Sequence, residues 1–577
     1  MEVTVDVVDL VSKLLDSGNY KDALSVPNEE KYVQLFKDNS SDLISVIVQK
    51  VQDDTALVRP SLLGACEEML ALIIQKASPE EALLEFIEQI ELSKNDAQFS
   101  IILTPLQKLL KKLTNKRGRS LEWCLNSIST YIEKIPIPEH KLEGKERLLL
   151  DSDPGIRRIS KIYSLLPHFY SPFIKELSKT DPNLRYKQII AAFLISLLGK
   201  PLIYVDMDPD INAQSEARQS CTIIINDICI LEKNLLKFLE WLEHCNNRQG
   251  KSKSSDTMNT TEEERSPYEH EDKINMTSLS GFFYSIFSGH FEFEKIGIPQ
   301  VYSIEYIVNT TMLAVLHLFS FSEYGPICKG LSLCKALLDR LPNQTHHRLL
   351  SASVHFNLCR SLMNITIYSE YNSVRKQGLQ LLSCHLNKFD YKGRCRLIQF
   401  LVKNANHSGL IGYVITQYKN SVDEGFKEPI LPDCFTGAQL MSMIDLFCYL
   451  PFGAESDLVE LADQIISTLN VLRYLALKDT QNITGIKDNF AKIESEYLDK
   501  IRTGLNMSKA HYEEKLKEIE EAKEGTKDAP KISLNVGGNV LDQIPKEKKK
   551  EIVLFALNAF HLIQGLVGRV SECFNIN

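Results

Sequence analysis

The sequence is poor in the signals that mark chemistry, secretion and membrane crossing. It holds two Trp and thirteen Cys in 577 residues, and no two Cys form a CxxC pair. An odd cysteine count leaves one thiol over in any disulfide scheme. Cys359, Cys384 and Cys448 sit inside apolar helical runs, where Cys acts as a small hydrophobe, so the pattern fits a reducing compartment. The N-terminal Met1-Glu2-Val3-Thr4-Val5-Asp6 is acidic and interrupted, unlike a signal peptide. The longest apolar stretch, 189–198, is about half of what a membrane span needs. No membrane insertion is expected, and a cytoplasmic location, extending to the nucleus, is. Basic charge is also short: 66 Lys+Arg against 75 Asp+Glu give a net charge of −9, which argues against nucleic-acid binding through phosphate neutralisation.

Catalytic and metal motifs are missing as well. There is no Walker loop, Rossmann glycine fingerprint, GxSxG or HExxH. Gly537-Gly538 lacks the helix and Lys of a phosphate cradle and reads as a turn. Adjacent His346 and His347 would point apart on a helix and suit solvent better than a metal. His355 and Cys359 have i,i+4 spacing, but no second ligand pair lies at a usable distance. Asp206, Asp208 and Asp210 alternate as in a calcium loop, yet its central Gly and distal Glu are absent; a helix start is expected there. Trp123 and Trp241 lie on apolar stripes and are expected in the core. No enzyme activity, cofactor or metal is expected.

Helical periodicity is abundant. Ile102, Leu106, Leu109, Leu110 and Leu113 form one stripe with Lys111 and Lys112 off it. Leu458, Leu461, Ile465, Leu469, Leu472 and Leu475 form another, and Ile552, Phe555, Phe560, Ile563, Leu566, Val567 and Val570 line a final helix. Ser78-Pro79-Glu80-Glu81 offers an N-cap, a first-turn proline and a capping-box Glu. Ile532–Val536 and Asn539–Leu541, flanking Gly537-Gly538, predict one small hairpin near the C-terminus. The expected fold is all-α: a HEAT/armadillo-like helical-repeat solenoid, with a compact helical bundle as the alternative. Residues 246–278 are polar enough to read as a disordered loop. They separate an N-terminal helical-repeat region, 1–245, from a C-terminal, partner-binding one, 279–577.

From residue 329 onward the sequence becomes specific. Asn406-His407-Ser408-Gly409 is followed by Phe435-Thr436-Gly437-Ala438-Gln439-Leu440, then by Leu450-Pro451-Phe452-Gly453-Ala454-Glu455-Ser456-Asp457-Leu458. Ser467-Thr468-Leu469-Asn470-Val471-Leu472-Arg473-Tyr474-Leu475 and Gly504-Leu505-Asn506-Met507-Ser508-Lys509-Ala510-His511-Tyr512-Glu513 complete the series. This order resembles the glomulin family of helical-repeat proteins. The resemblance implies binding to the RING-box subunit of cullin–RING ubiquitin ligases and inhibition by covering the surface that the ubiquitin-conjugating enzyme uses. It also implies association with an FK506-binding immunophilin and a growth-factor receptor. An adaptor or transport scaffold that binds another protein or peptide is the alternative. On the helical pattern, Arg473 and Lys478 are polar residues on an otherwise apolar helix. Tyr474, Met507, His511 and Tyr512 are amphipathic, and Lys509 stands among them. These seven are the candidate partner contacts, with core packing or helix capping as the competing role.

Overall fold

The computed structural model describes residues 6–113, 117–138, 142–177, 184–211, 215–249, 266–270, 273–293, 301–521, 535–536, 539–540 and 546–575. The fold is all-α. The helix Asp96–Lys112 shows why: Asn95 caps it by accepting from the Gln98 amide at 2.9 Å, one of the orphan donors of a helix start. Its stripe of Ile102, Leu106, Leu109 and Leu110 is fully buried, each side chain contributing about 1.5–3 kcal/mol of burial. The helix Pro79–Leu92 begins where expected, but Ser78 makes no side-chain cap bond; proline geometry and the Glu80 and Glu81 charges at the positive helix end carry that start.

Contacts divide the chain into two compact units, Met1–Leu337 and Leu338–Asn577. Within each, helices pack chiefly on their near neighbours in sequence, the pattern of a helical-repeat solenoid. The division does not fall at the polar segment 246–278. After that segment the helix Met276–Phe287 packs back on Leu184–Ser196, Glu216–Leu231 and Phe238–Gln249, so the insertion interrupts one unit instead of separating two. Parts of the segment are ordered. Asn246 belongs to the helix ending at Gln249, and Tyr268 is buried with its ring edge-on to Phe238 at 5.1 Å and Trp241 at 5.5 Å. Its positions 250–265, 271 and 272 lie outside the described residues.

Two expectations for the first unit need correction. Asp206 and Asp208 start no helix: the Arg147 guanidinium pairs with them at 2.6 and 3.1 Å, which neutralises a loop. Trp123 is not core but 43 % exposed, with the Arg119 guanidinium 5.2 Å from its ring centre. The same unit buries Lys329 without a carboxylate partner in hydrogen-bonding range. Its ammonium donates to the carbonyls of Ile203, at 2.8 Å, and Val205, and burial pushes its pKa down to about 8.

The second unit stacks Val354–Tyr368 on Asn372–Lys388, Tyr391–Asn404 on Ser408–Gly425, and Ser408–Gly425 on Ala462–Lys478. The last pairing is tight because Gly412 faces the Asp463 carbonyl, where a Cβ would stand 2.7 Å from the oxygen. Ser408 Oγ accepts from the Gln464 amide across the seam at 3.2 Å. The Ala462–Lys478 helix ends in a turn built on buried Asp479, whose carboxylate accepts the Ile483 and Thr484 amides at 2.8 Å and the Thr484 hydroxyl at 2.5 Å. The final helix, Lys546–Asn575, packs on both Ala462–Lys478 and Asp499–Glu521, with Phe560, Ile563, Val567 and Val570 buried.

Phe555, expected on that buried stripe, is 72 % exposed. Residues Glu547–Phe574 of this helix are long and apolar enough to cross a membrane by length and composition. The uninterrupted-run criterion passes over them because scattered polar residues break the sequence. In the fold their inward face is core. Just before this helix, Asn535–Val536 pairs antiparallel with Asn539–Val540; the rest of the expected hairpin, 532–534, 537, 538 and 541, lies outside the described residues.

Candidate functional site

The seven residues singled out from the sequence fall into two groups on the second unit, and no hydrogen bond, ion pair or ring contact joins the groups. The first lies on the seam between Ser408–Gly425 and Ala462–Lys478. Arg473 and Tyr474 line a cavity of about 430 Å³ there, together with Lys419, Ser467 and Leu477. The Tyr474 hydroxyl donates to Asp423 at 2.7 Å, and its ring lies edge-on to Phe426. Burial and the Asp423 carboxylate together push the phenol pKa above its ordinary range. Asp423 is held below the usual carboxylate range by its bond to Lys427, at 2.6 Å, and by Tyr474. Lys478 is exposed at the helix end, close enough to add to the positive field on Asp423. The Arg473 Nε is enclosed and has no hydrogen-bond acceptor among the described residues.

The second group lies on Asp499–Glu521. Met507 and His511, one turn apart, are exposed. Lys509 and Tyr512 turn toward the final helix: the Lys509 ammonium reaches Gln564, and the Tyr512 ring sits edge-on to Phe560 at 5.4 Å. These two are packing residues on their inner side, because the i+2 and i+5 positions from Met507 rotate off its face. Burial, with the nearby Asp457 charge, raises the Tyr512 phenol pKa.

The matched segments 450–458 and 504–513 meet. Gly504 has the Ala454 carbonyl where a Cβ would be, 2.6 Å away, with Leu458 at 3.3 Å. The loop is pinned further by the Phe452 amide donating to Ser456 Oγ at 3.0 Å. This raises Phe452, 77 % exposed, beside the helix that carries Met507, 53 % exposed, and Tyr449 is exposed just before it. Neither aromatic was among the candidates. The sequence signal available was an aromatic following Leu-Pro in a glycine turn, where no helical stripe could absorb it.

Two polar clusters elsewhere in this unit bring possible ligand atoms together; those of His346, His347 and Asp390 all lie within 4.8 Å of one another. His346 and His347 do not point apart. Their rings stack at 4.1 Å beside Asp390, because His346 caps the 3-10 turn His347–Ser351 and lies outside any helix. Asp390 is already used: one oxygen accepts the Gly393 amide at 2.7 Å and the other accepts His347 Nδ1 at 2.8 Å. His355 and Cys359 are joined by His385, whose two nitrogens face His355 at 3.1 Å and Cys359 at 3.5 Å. Opposite nitrogens of one ring cannot share an ion. Burial pushes His355 down to about 4 and His385 well below its ordinary value.

Set beside known proteins, the chain is similar to mouse glomulin, at 27% identity over 98% of this chain and 92% of that protein. Human glomulin matches at 27% over the same shares. A solved circular tandem repeat protein with novel repeat topology aligns with 98% of this chain and 97% of its own at 10% identity and a TM-score of 0.22. Residues 231–544, more than half of the sequence, match the uncharacterised protein family YAP/Alf4/glomulin. The chain belongs to the YAP/Alf4/glomulin family.

Proposed function

We propose that the chain is a protein-binding inhibitor of cullin–RING ubiquitin ligases, acting in the cytoplasm without catalysis of its own. It docks the RING-box subunit on Leu338–Asn577 and covers the surface that the ubiquitin-conjugating enzyme uses. The observation that carries this reading is the exposed relief of Tyr449, Phe452, Met507 and His511, built on the segments whose sequence resembles glomulin. Aromatic and Met anchors held on rigid elements are what a protein interface draws its energy from, and masking a surface requires no further group.

Titration of the full chain against the RING-box subunit, paired with a ubiquitin-chain assay, tests it. Binding is expected to be one-to-one, and inhibition is expected to be relieved as conjugating enzyme is raised. Phe452→Glu and Met507→Glu should weaken binding by about tenfold or more each, the scale of a lost anchor. Inhibition that conjugating enzyme does not relieve would sink the occlusion mechanism, and absence of binding at micromolar concentration would sink the partner.

A further inference from the structure

We infer that the groove between Ser408–Gly425 and Ala462–Lys478 reads a carboxylate: it takes an Asp or Glu side chain from an acidic segment of the partner protein. This rests on the protein-docking reading above and adds the chemistry of the docked segment. The cavity, about 430 Å³, is lined by two cations, Lys419 and Arg473, and by no carboxylate. The remaining polar lining is neutral, from Thr416, Ser467 and Asn470. Among the described residues neither cation has an ion-pair partner. The carboxylate at the rim, Asp423, is occupied by Tyr474 at 2.7 Å and Lys427 at 2.6 Å. Lys419 rests over the Tyr474 ring at 5.9 Å.

Among the described residues the Arg473 guanidinium has no hydrogen bond or ion pair; its Nε is closed off from solvent, so it meets the groove through its Nη nitrogens. A carboxylate suits that end of the guanidinium, where the two Nη nitrogens offer parallel N–H donors to its two oxygens. The exposed Leu477 lip gives the side-chain methylenes of a Glu something to cover. A nucleic-acid backbone is the poorer fit. It needs a run of cations along a face, whereas these two converge in one pocket of a chain with net charge −9.

The test uses the full chain as wild type, Arg473→Gln and Lys419→Gln. The two variants lie on opposite helices, and each is checked against wild type by thermal melting. Fluorescein-labelled octa-glutamate, octa-glutamine and an RNA octamer are titrated by anisotropy at low and physiological ionic strength. The RING-box subunit is titrated in parallel. Octa-glutamate should bind, weaken with salt, and lose about tenfold in Arg473→Gln, the value of one charge-assisted bond; Lys419→Gln should lose less. Octa-glutamine binding as tightly, affinity unchanged in both variants, or RNA outcompeting octa-glutamate would each overturn the assignment. If the RING-box subunit does not bind wild type while octa-glutamate binding still depends on Arg473, the groove stands and the partner falls. If the subunit binds and neither variant alters it or octa-glutamate, the groove falls and the partner stands.

Discussion

Acid should open the second unit through its buried histidine pair. His355 and His385 are fully buried, 3.1 Å apart through ring nitrogens, with Phe389 edge-on to both at 5.3 and 5.5 Å. His355 titrates at about 4 in the fold, against about 6.5 in an unfolded chain. His385 is held well below its ordinary value by burial and by His355. Both folded pKa values are depressed, so between about 6.5 and 4 the unfolded state binds protons that the native state refuses. Stability is complete above the unfolded value and falls as pH is lowered through that window, by about 1.4 kcal/mol per pH unit for each histidine. From pH 6.5 to 5 the loss is about 2 kcal/mol for His355, and His385 adds to it in the same direction. The His355 share alone is a sizeable part of the 5–15 kcal/mol that holds a typical domain. Urea unfolding followed by far-UV circular dichroism, in pH steps from about 7.5 to 5, measures it. The paired variant His355→Leu/His385→Leu replaces both partners by apolar groups and should be near wild type at neutral pH. It should then lose at least about 2 kcal/mol less on acidification. Wild type and variant falling in parallel would refute the reasoning, because every other titrating group, including His290 and His317 of the first unit, is common to both.

Gly412→Ala should cost about 1–3 kcal/mol, since its Cβ would press on the Asp463 carbonyl, which is backbone and cannot swing aside. Hydrogen exchange should rise in Ser408–Gly425 and Ala462–Lys478, and an unchanged exchange pattern would contradict the tight seam. Asp479→Ala strips the acceptor from two amides and a hydroxyl and should cost about 2–4 kcal/mol, with Asp479→Asn recovering part of it in the same melts. Alkali should destabilise both units. Burial holds Cys66, Cys221, Cys328 and Cys359 up at about 12, while an unfolded thiol ionises at about 8.5. These raised thiols stabilise fully below the unfolded value, and that contribution drains by about 1.4 kcal/mol per pH unit each as pH rises above it. Lys329, lowered to about 8, and Lys273, also lowered by burial, oppose the trend. A thermal midpoint that stays flat from pH 8 to about 10 would contradict the burial of these thiols.

Fold class was legible because helical stripes need only spacing to be recognised. Ile102, Leu106, Leu109 and Leu110 were read as one face and are buried as one. Exposure was not legible to the same degree, since it depends on what arrives from elsewhere in the chain. Phe555 keeps the period of its stripe and still faces out, and Trp123 does the same beneath Arg119. The unit boundary was misread for a related reason. Polar composition marks where a chain cannot pack, but Tyr268 and the helix Met276–Phe287 return to the helices they left. In the candidate site, Arg473 and Lys478 are visible as polar residues on an apolar helix, and Tyr474 as an amphipathic one. Phe452 is not, because its exposure follows from the seat of a turn on Gly504.

That seat has a consequence for how Phe452 meets a partner. A ring on a free loop would lose its mobility at the moment of binding, at about 0.5–1.5 kcal/mol for a side chain and more for the backbone beneath it. Here the Ala454 carbonyl rests on Gly504 and the Phe452 amide is fixed to Ser456 Oγ, so the ordering was completed when the unit folded. Phe452 is preorganised. A methyl group added at Gly504 touches no partner, yet by lifting the turn it would return that ordering entropy to the binding step.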